Sequence, residues 1–449
     1  MEKNERYRRM TETPVPKLIR ELAVPTIISM LVTGIYNTAD KYFVAQMPQD
    51  ATPANAAVGL VFPMMAIIQA GGFFFGHGSG NYLSRMLGAG EKKKASEMAS
   101  TGFALALVFG AVITILGNIF VRPMVEFLAT EEMTETTLRM TAEYARIILI
   151  GAPFMMCQFV INNQLRFQGS AVYAMVGLLA GAIINIILDP LLILGLGFGI
   201  RGAAIATISG QIMSFIILLI GSRHGENIRL HIGNIRINGY YCFQIINGGA
   251  PSLFRQGLAA VSSILLNRAS ARWGQEAAVA GMTNATTVLM LVVSALIGFG
   301  QGYQPVCSFN YGAGLKNRVK EGYFYCVKWG TIFLAFAAAV IFVYAPQIIL
   351  LIRNDAAVAE VGGMTLRAQA LALPLLGVSI MTNMMLQSIG SGLKASIASS
   401  ARNGIFFIPA ILILPRIFGL FGVEIAQAVA DVATLALSVP LAVSELRKM

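Results

Sequence analysis

The chain has 449 residues, of which 56% are apolar and 12% are charged, and its formal net charge is +11. A soluble domain carries about 25% charged residues, so this composition excludes an ordinary soluble globular protein. An excess of Lys and Arg is typical of the cytoplasmic loops of membrane proteins, and we therefore expect no binding to nucleic acid.

Long uncharged segments are the main structural signal. Residues 103–121, 331–352 and 371–392 include no charged side chain, and about 20 helical residues are enough to cross a bilayer core. Because lipid offers the backbone no hydrogen-bond partners, such spans are helices. The sequence predicts an all-α polytopic membrane protein with twelve transmembrane helices. The predicted spans are 18–46, 55–86, 95–121, 136–157, 163–195, 202–222, 241–268, 276–307, 317–352, 357–390, 394–415 and 420–444.

The distribution of basic residues predicts the orientation. About 21 Lys and Arg fall on the side of both termini and about 5 on the other side, and cytoplasmic loops are the ones enriched in these residues. Both termini are therefore expected in the cytoplasm, with residues 1–17 forming a short arm on the membrane surface. The cytoplasmic set includes Arg166 and the stretch Lys394 to Arg402, and the outer set is Arg122, Arg201, Arg272, Arg353 and Arg416.

The second half of the chain repeats the first. The matches at an offset of 221 are Pro153 with Pro374, Asn162 with Asn383 and Gly169 with Gly390, and those at 220 are Gly199 with Gly419 and Gly202 with Gly422. Six spans per half make the two repeats parallel, an architecture of alternating-access transporters. We predict an N-terminal lobe at 18–222, a cytoplasmic linker at 223–240 and a C-terminal lobe at 241–449.

Polar residues inside the spans of the first half indicate a cation site. Asn185 and Asp189 are four residues apart and share one helix face, and Pro190 leaves the carbonyl of Ile186 without its helical donor. Asp40 and Thr207 lie in two other spans. Oxygen ligands suit Na⁺, and neighbouring carboxylates can also share a proton. The alternatives are a polar cluster that only locks the helices together and, for Asp40, a place near the outer interface.

The second half has different intramembrane charges. Asp431 lies in the middle of the last span, where the repeat pairs it with Gln211, and Arg255 follows Pro251 in the seventh. A lone buried charge is penalised, so we predict an Arg255–Asp431 ion pair. A role in substrate binding or gating is the alternative.

Enzymatic motifs are missing from the sequence. There is no phosphate-binding GxxxxGK[ST] loop, so ATP is not the direct energy source, and no catalytic triad or metal-ligand cluster stands out. The four cysteines are far apart and are expected to pack as small apolar groups. We predict a protein that is not an enzyme and that uses no cofactor, apart from a transported Na⁺ or H⁺.

The order of the motifs resembles the multidrug and toxic compound extrusion transporters, nearest to their prokaryotic multidrug-efflux branch. The motifs are Tyr36-Asn37-x-x-Asp40, Ser84-Arg85-x-Leu87-Gly88-x-Gly90, Asn185-x-x-x-Asp189-Pro190, Gly199-x-x-Gly202-Ala203-Ala204-x-Ala206-Thr207, Pro251-x-x-x-Arg255-Gln256-Gly257 and Gln387-x-x-Gly390. The resemblance implies export of small organic compounds, often cationic or amphiphilic, across a prokaryotic cell membrane in exchange for Na⁺ or H⁺. The implied coupling residues are Asp40, Asn185, Asp189, Thr207 and Tyr36.

The resemblance also bears on the C-terminal lobe. Some members carry acids on spans seven and ten, whereas this chain has Arg255 in the seventh and no acid within the tenth, so we expect no cation site of that kind. A monomer in the lipid bilayer is expected. Two rival functions are a flippase of lipid-linked oligosaccharides from the same superfamily and a non-transporting scaffold.

Overall fold

A computed structural model describes residues 5–47, 51–128 and 133–449, with the side chains of 34–42, 45 and 51 left undescribed. Every regular element in these ranges is helical. The helices of the first half are α1 (Glu5–Glu12), α2 (Val15–Ala45), α3 (Ala51–Gly88), α4 (Lys92–Ile119), α5 (Val121–Leu128), α6 (Glu135–Phe167), α7 (Ala171–Pro190) and α8 (Gly199–Gly221). Those of the second half are α9 (Gly239–Gly312), α10 (Lys316–Ile352), α11 (Ala356–Ala372), α12 (Leu376–Ile389), α13 (Gly392–Ser400), α14 (Phe407–Phe418) and α15 (Leu420–Leu446).

Short segments of different helical geometry interrupt this series. Leu191–Gly195 and Ala401–Ile405 are π-helical, and Ile232–Asn234 and Leu373–Leu375 are 3₁₀-helical. A π segment forms its backbone hydrogen bonds over an interval one residue longer than an α-helix does, and such segments are frequent at functional sites. Both π segments therefore mark places where the side chains beyond them are turned to a new face.

Within the described ranges, ten helical stretches are long and apolar enough to cross a membrane. One of them, α9, has 74 residues and breaks at Gln275, whose φ of 57° and ψ of −154° are not helical. It therefore supplies two spans, and α2 with 31 residues is long enough to supply another. Large apolar side chains such as Phe336 and Leu371, both 72% exposed, are suited to solvation by lipid. The prediction of an all-α polytopic membrane protein is confirmed.

The chain divides into two compact units. The N-terminal unit is Ile28–Gly249, and the C-terminal unit combines Met1–Ile27 with Ala250–Met449. The first of the two boundaries falls within α2 and the second within α9. The predicted lobes began at residues 18 and 241. Residues 18–27 of the predicted N-terminal lobe therefore belong to the C-terminal unit, and residues 241–249 of the predicted C-terminal lobe belong to the N-terminal unit.

The internal repeat is visible in the backbone of each unit. Gly169 and Gly390, 221 residues apart, follow equivalent helices with φ of 80° and 89°, a left-handed conformation that favours glycine. Gly199 and Gly419, 220 residues apart, have φ of 55° and 62°. The glycines of each pair therefore occupy equivalent positions in the two units.

The amino-terminal arm is folded against the C-terminal unit. The carbonyl oxygen of Met10 accepts hydrogen bonds from Asn310 Nδ2 at 3.1 Å and Arg318 Nη2 at 3.4 Å, and Arg318 also donates to the carbonyl of Thr13. The Met10 side chain is buried, with 1% exposed. The arm is therefore docked on protein, which the sequence did not indicate.

The linker 223–240 is likewise fixed, along α4 of the N-terminal unit. The backbone amides of His231 and Arg236 donate to the hydroxyls of Ser100 and Thr101 at 3.1 and 2.9 Å. These hydroxyls satisfy backbone groups that helices and sheets would otherwise pair, so the linker is part of this unit's folded structure.

Two basic residues assigned to cytoplasmic loops lie in helical segments instead. Arg166 is in the last turn of α6 with 2% of its surface exposed, and it donates to Asn163 Oδ1 at 2.5 Å. Arg402 lies in the π segment after α13. Both also lie inside the predicted spans 163–195 and 394–415, although they were counted with the cytoplasmic charges.

Candidate functional site

The candidate site is built on a close contact between α7 and α8. Gly181 of α7 faces Gly210 and Ser214 of α8: a methyl group added at Gly181 would lie 2.7 Å from the carbonyl oxygen of Gly210 and 2.8 Å from Cβ of Ser214. Small residues let helix backbones approach in this way. The contact fixes the relative position of Asn185 and Asp189, one and two turns further along α7, and of the polar side chains next to Gly210 on α8.

Asn185 and Asp189 extend the same face of α7. Their side chains are buried, with 1% and 0% exposed, and Asn185 Nδ2 lies 3.5 Å from Asp189 Oδ1. A methyl group at Gly210 would lie 3.1 Å from Cβ of Asn185, so this residue stands directly against α8. The predicted spacing on one helix face is therefore observed.

The polar side chains of α8 complete the group. Thr207, with 2% exposed, and Gln211 are one turn apart on that helix. Thr207 Oγ1, Gln211 Oε1 and Asn185 Oδ1 are buried oxygen atoms for which the described residues supply no hydrogen-bond partner. Buried polar atoms are normally satisfied, and these three oxygens belong to the two packed helices of which one carries Asp189. They are therefore candidate ligands for a small hard cation, a proton-bearing group or water.

The backbone after Asp189 is irregular. Pro190 ends α7, and the π segment Leu191–Gly195 follows, in which the amide of Leu196 donates to the carbonyl of Leu191 at 2.8 Å. Proline removes a helical donor, and a π turn directly after it alters the hydrogen-bond ladder further. The carboxylate therefore lies at the end of regular α-helix, where helices are able to bend.

Two predicted coupling residues lie in a segment whose side chains are undescribed. The backbone of Tyr36 and Asp40 is part of α2, but both side chains lie outside the described residues. Their place in the site remains a prediction.

In the C-terminal unit the predicted Arg255–Asp431 pair is corrected. Asp431 accepts hydrogen bonds from Arg402 Nε at 2.8 Å and Gln427 Nε2 at 2.9 Å. The prediction chose Arg255 because Arg402 was counted with the cytoplasmic charges and not with the charges inside the spans. Arg255 is partly exposed on α9, and the described residues offer it no ion-pair partner.

The tenth span also differs from its prediction. Glu360 lies on α11, within the span that was predicted to contain no acid, and its side chain is exposed. It lies in the second turn of the helix, so it belongs to the end of the span rather than to its interior.

Two residues of functional interest, Gln211 and Arg402, were not predicted from the sequence. Gln211 carries no charge and was considered only as the repeat partner of Asp431, although its position one turn after Thr207 puts both on one helix face. Arg402 lies inside the predicted span 394–415 but was counted with the cytoplasmic charges. In both positions the helical register, rather than residue type, was the available signal.

Comparison with known proteins identifies the family. The MatE family profile matches residues 25–191 and 251–412, once in each half. The chain is 27% identical over 430 residues to the multidrug export protein MepA of Staphylococcus haemolyticus, covering 96% of this chain and 93% of the relative.

Solved structures agree with this assignment. An outward-facing multidrug resistance MATE family transporter of the MOP superfamily has a TM-score of 0.91 and 25% identity, covering 100% of this chain and 99% of the other. A MOP superfamily transporter from Pyrococcus furiosus, for which reverse polarity of the binding pocket suggests a different function, has a TM-score of 0.91 and 26% identity over 100% and 99% of the two chains. The chain belongs to the MatE family, the multidrug and toxic compound extrusion proteins, whose members are membrane transporters rather than enzymes.

Proposed function

We propose that this protein exports small organic compounds from a bacterial cell in exchange for Na⁺ or H⁺, by alternating access. The export of many compounds is supported by the similarity to MepA over nearly the whole chain. A transporter with no nucleotide-binding motif needs another energy source, and an ion gradient supplies about 2.3 kcal/mol for each charge that crosses 100 mV.

The observation that carries the coupling proposal is the buried contact between Asn185 and Asp189 beside α8. A carboxylate in this position can bind a cation or a proton, and Thr207 and Gln211 add neutral oxygen ligands from the facing helix. Because the ligands belong to two helices, occupancy would favour one packing of α7 against α8 and release would favour another. A ligand shifts a conformational equilibrium only through such a difference in affinity.

Ion binding must be communicated to the compound that is exported. The chain passes between its two units inside α2 and α9, next to Ile27 and Gly249, and Pro25 and Pro251 lie two residues from these boundaries. Prolines are common points of helix bending. We infer that repacking of the coupling site reaches the compound-binding surface through bends of this kind, and that the incoming ion lowers the affinity for the compound on the outside.

The remaining expectations complete the proposal. The charge distribution favours cytoplasmic termini, in a protein that works as a monomer in the cell membrane.

A lipid-linked oligosaccharide is the second candidate substrate. Arg255 lies in a span without an ion-pair partner among the described residues, and an arginine is well suited to bind a phosphate group.

Transport by purified protein in liposomes tests the proposal. Efflux of the cationic dye ethidium would be followed under an imposed Na⁺ gradient, under an imposed pH gradient and without either. We expect one of the two gradients to drive efflux and an ionophore that dissipates it to stop efflux. Efflux that ignores both gradients would contradict coupled exchange, and translocation of a fluorescent lipid-linked oligosaccharide without any dye efflux would favour the flippase.

A further inference from the structure

A buried ion pair lies inside the C-terminal unit, away from the proposed coupling site. Arg402 Nε and Nη2 lie 2.8 and 3.5 Å from the two carboxylate oxygens of Asp431, and Gln427 Nε2 donates to the first of these oxygens. The side chain of Asp431 is 3% exposed and that of Arg402 is 27% exposed. The carboxylate therefore has three nitrogen neighbours and almost no access to solvent.

The pair lies deep in the span. α13 begins at Gly392, and a rise of 1.5 Å per residue places Arg402 about 15 Å along this helical segment. Asp431 lies about 16 Å along α15 from Leu420 by the same measure. About half of a 30 Å hydrocarbon core is thus crossed from either end, so a bare carboxylate here would be costly and a neutralising cation is needed.

The backbone around Arg402 is π-helical instead of α-helical. The π segment Ala401–Ile405 closes with a hydrogen bond from the amide of Phe406 to the carbonyl of Ala401 at 3.0 Å. The hydroxyl of Ser262 on α9 donates to the carbonyl of Asn403, which satisfies a backbone group within the π turn. The irregular turn is therefore supported by a neighbouring helix and is able to hold the guanidinium in one place.

The internal repeat shows what this pair replaces. The offset of 221 pairs Arg402 with Gly181, and the offset of 220 pairs Asp431 with Gln211. In the N-terminal unit Gly181 packs on the backbone of Gly210 and leaves no room for a long side chain. In the N-terminal unit these helices carry Gln211 and no arginine at the position of Gly181. In the C-terminal unit the equivalent helical segments carry Asp431 and the cation of Arg402.

We propose that the guanidinium of Arg402 is a tethered cation that occupies Asp431 permanently and prevents it from acting as a second coupling carboxylate. An arginine stays protonated at any physiological pH, and its tether keeps it beside its partner whatever the external Na⁺ concentration. Asp431 then neither binds nor releases an ion during the transport cycle. This inference rests on the proposed function, because it assigns ion exchange to the site at Asp189.

Removal of the tether tests this assignment. In purified full-length Arg402→Gln protein, Asp431 would lose its cation and acquire one from solution, as Na⁺ or as a proton. We expect one additional cation bound per molecule, measured with ²²Na⁺ and, in parallel, as proton uptake after a shift from alkaline to acidic pH. Arg402→Lys, which keeps the charge, and the double variant Arg402→Gln/Asp431→Asn, which removes the acid, should both bind the same number as the unmodified protein.

The outcomes separate this inference from the coupling proposal. A folded Arg402→Gln protein that binds no additional cation, or a double variant that still binds it, would overturn the inference. If Arg402→Gln cannot be purified, Arg402→Ala prepared with methylguanidinium replaces it, and the inference then requires that methylguanidinium raises the melting temperature of this variant only. Asp189→Asn should lose the cation bound in the N-terminal unit, and the double variant Asp189→Asn/Arg402→Gln should regain one at Asp431. If Asp189→Asn alone binds as many cations as the unmodified protein, the coupling proposal is contradicted but the inference about Arg402 is not.

Discussion

Asn162 and Asn383 form the same hydrogen bond in the two halves of the chain. Asn162 Nδ2 donates to the carbonyl oxygen of Ala174 at 2.9 Å, and Asn383 Nδ2 donates to that of Ala395 at 2.8 Å. The two donors are 221 residues apart in the chain, and so are the two acceptors. Each bond ties the end of one helix to the first turns of the next, across the glycine cap between them.

Loss of this tie should destabilise both units, but not equally. Asn383 Nδ2 also donates to Ser399 Oγ at 2.7 Å, so Asn383→Ala removes two buried hydrogen bonds and Asn162→Ala removes one. At about 1 kcal/mol for each bond, we expect Asn383→Ala to lower the free energy of unfolding by about twice as much as Asn162→Ala. Thermal unfolding in detergent measures this, with the exposed Asn354→Ala as control. Equal losses would contradict the second bond at Asn383.

The contact between α7 and α8 should not tolerate a methyl group. Gly181→Ala would place Cβ 2.7 Å from the carbonyl of Gly210, and backbone cannot move aside as a side chain can, so we expect a loss of about 1–3 kcal/mol in stability. Gly257→Ala on α9 is the matched control, because no atom of another helix among the described residues lies within 4 Å of the added carbon. It should be neutral or slightly stabilising. Unchanged melting of Gly181→Ala would show that the helices are not packed so closely.

The hydroxyl of Thr207 should contribute moderately to ion affinity. Thr207→Val keeps the shape of the side chain and removes one neutral oxygen ligand, which at about 1 kcal/mol corresponds to a loss of about fivefold in affinity. The half-saturating ion concentration for ethidium efflux measures the effect. Thr283→Val, an exposed position on α9, should leave it unchanged. A Thr207→Val protein with wild-type ion dependence would remove this hydroxyl from the coupling site.

Labelling of single cysteines should establish the orientation. Cys157, Cys307 and Cys326 are buried, so Cys242→Ser gives a background with little reaction. A membrane-impermeant maleimide added to intact cells should label Asn354→Cys and should not label Gly233→Cys in the linker. Both positions are exposed, so the reverse pattern would place the termini outside.

The sequence predicted those features that depend on spacing along one helix. The four-residue interval between Asn185 and Asp189 implies a shared face in any α-helix, and the structure brings the two side chains together. Long apolar segments likewise predict spans wherever lipid excludes other backbone structures.

Features that depend on helix ends and on neighbouring helices could not be predicted. Arg402 reaches Asp431 from a π segment that no composition rule indicates. Asp431 was therefore predicted to pair with Arg255. The approach of Gly181 to Gly210 depends on two helices at once, and so does the role of Gln211. The docking of α1 depends on a hydrogen bond from Asn310 to the carbonyl oxygen of Met10, and these two residues are 300 positions apart in the chain.

The substitution Asp189→Asn tests the central claim most directly, with Asp355→Asn as its control. Asn has the shape of Asp but carries no negative charge, so Asp189→Asn should fold and melt as the unmodified protein does. The control removes an acid from the partly exposed N-cap of α11, where its side chain accepts from the amides of Ala357 and Val358. Asn caps helices as well as Asp does. Both variants are measured for ethidium efflux from liposomes under the gradient that drives the unmodified protein. The account predicts that Asp189→Asn abolishes gradient-driven efflux while Asp355→Asn retains it. Full ion-coupled efflux by the Asp189→Asn protein would contradict the account and leave Asn185 and Asp189 as a polar cluster that holds helices together.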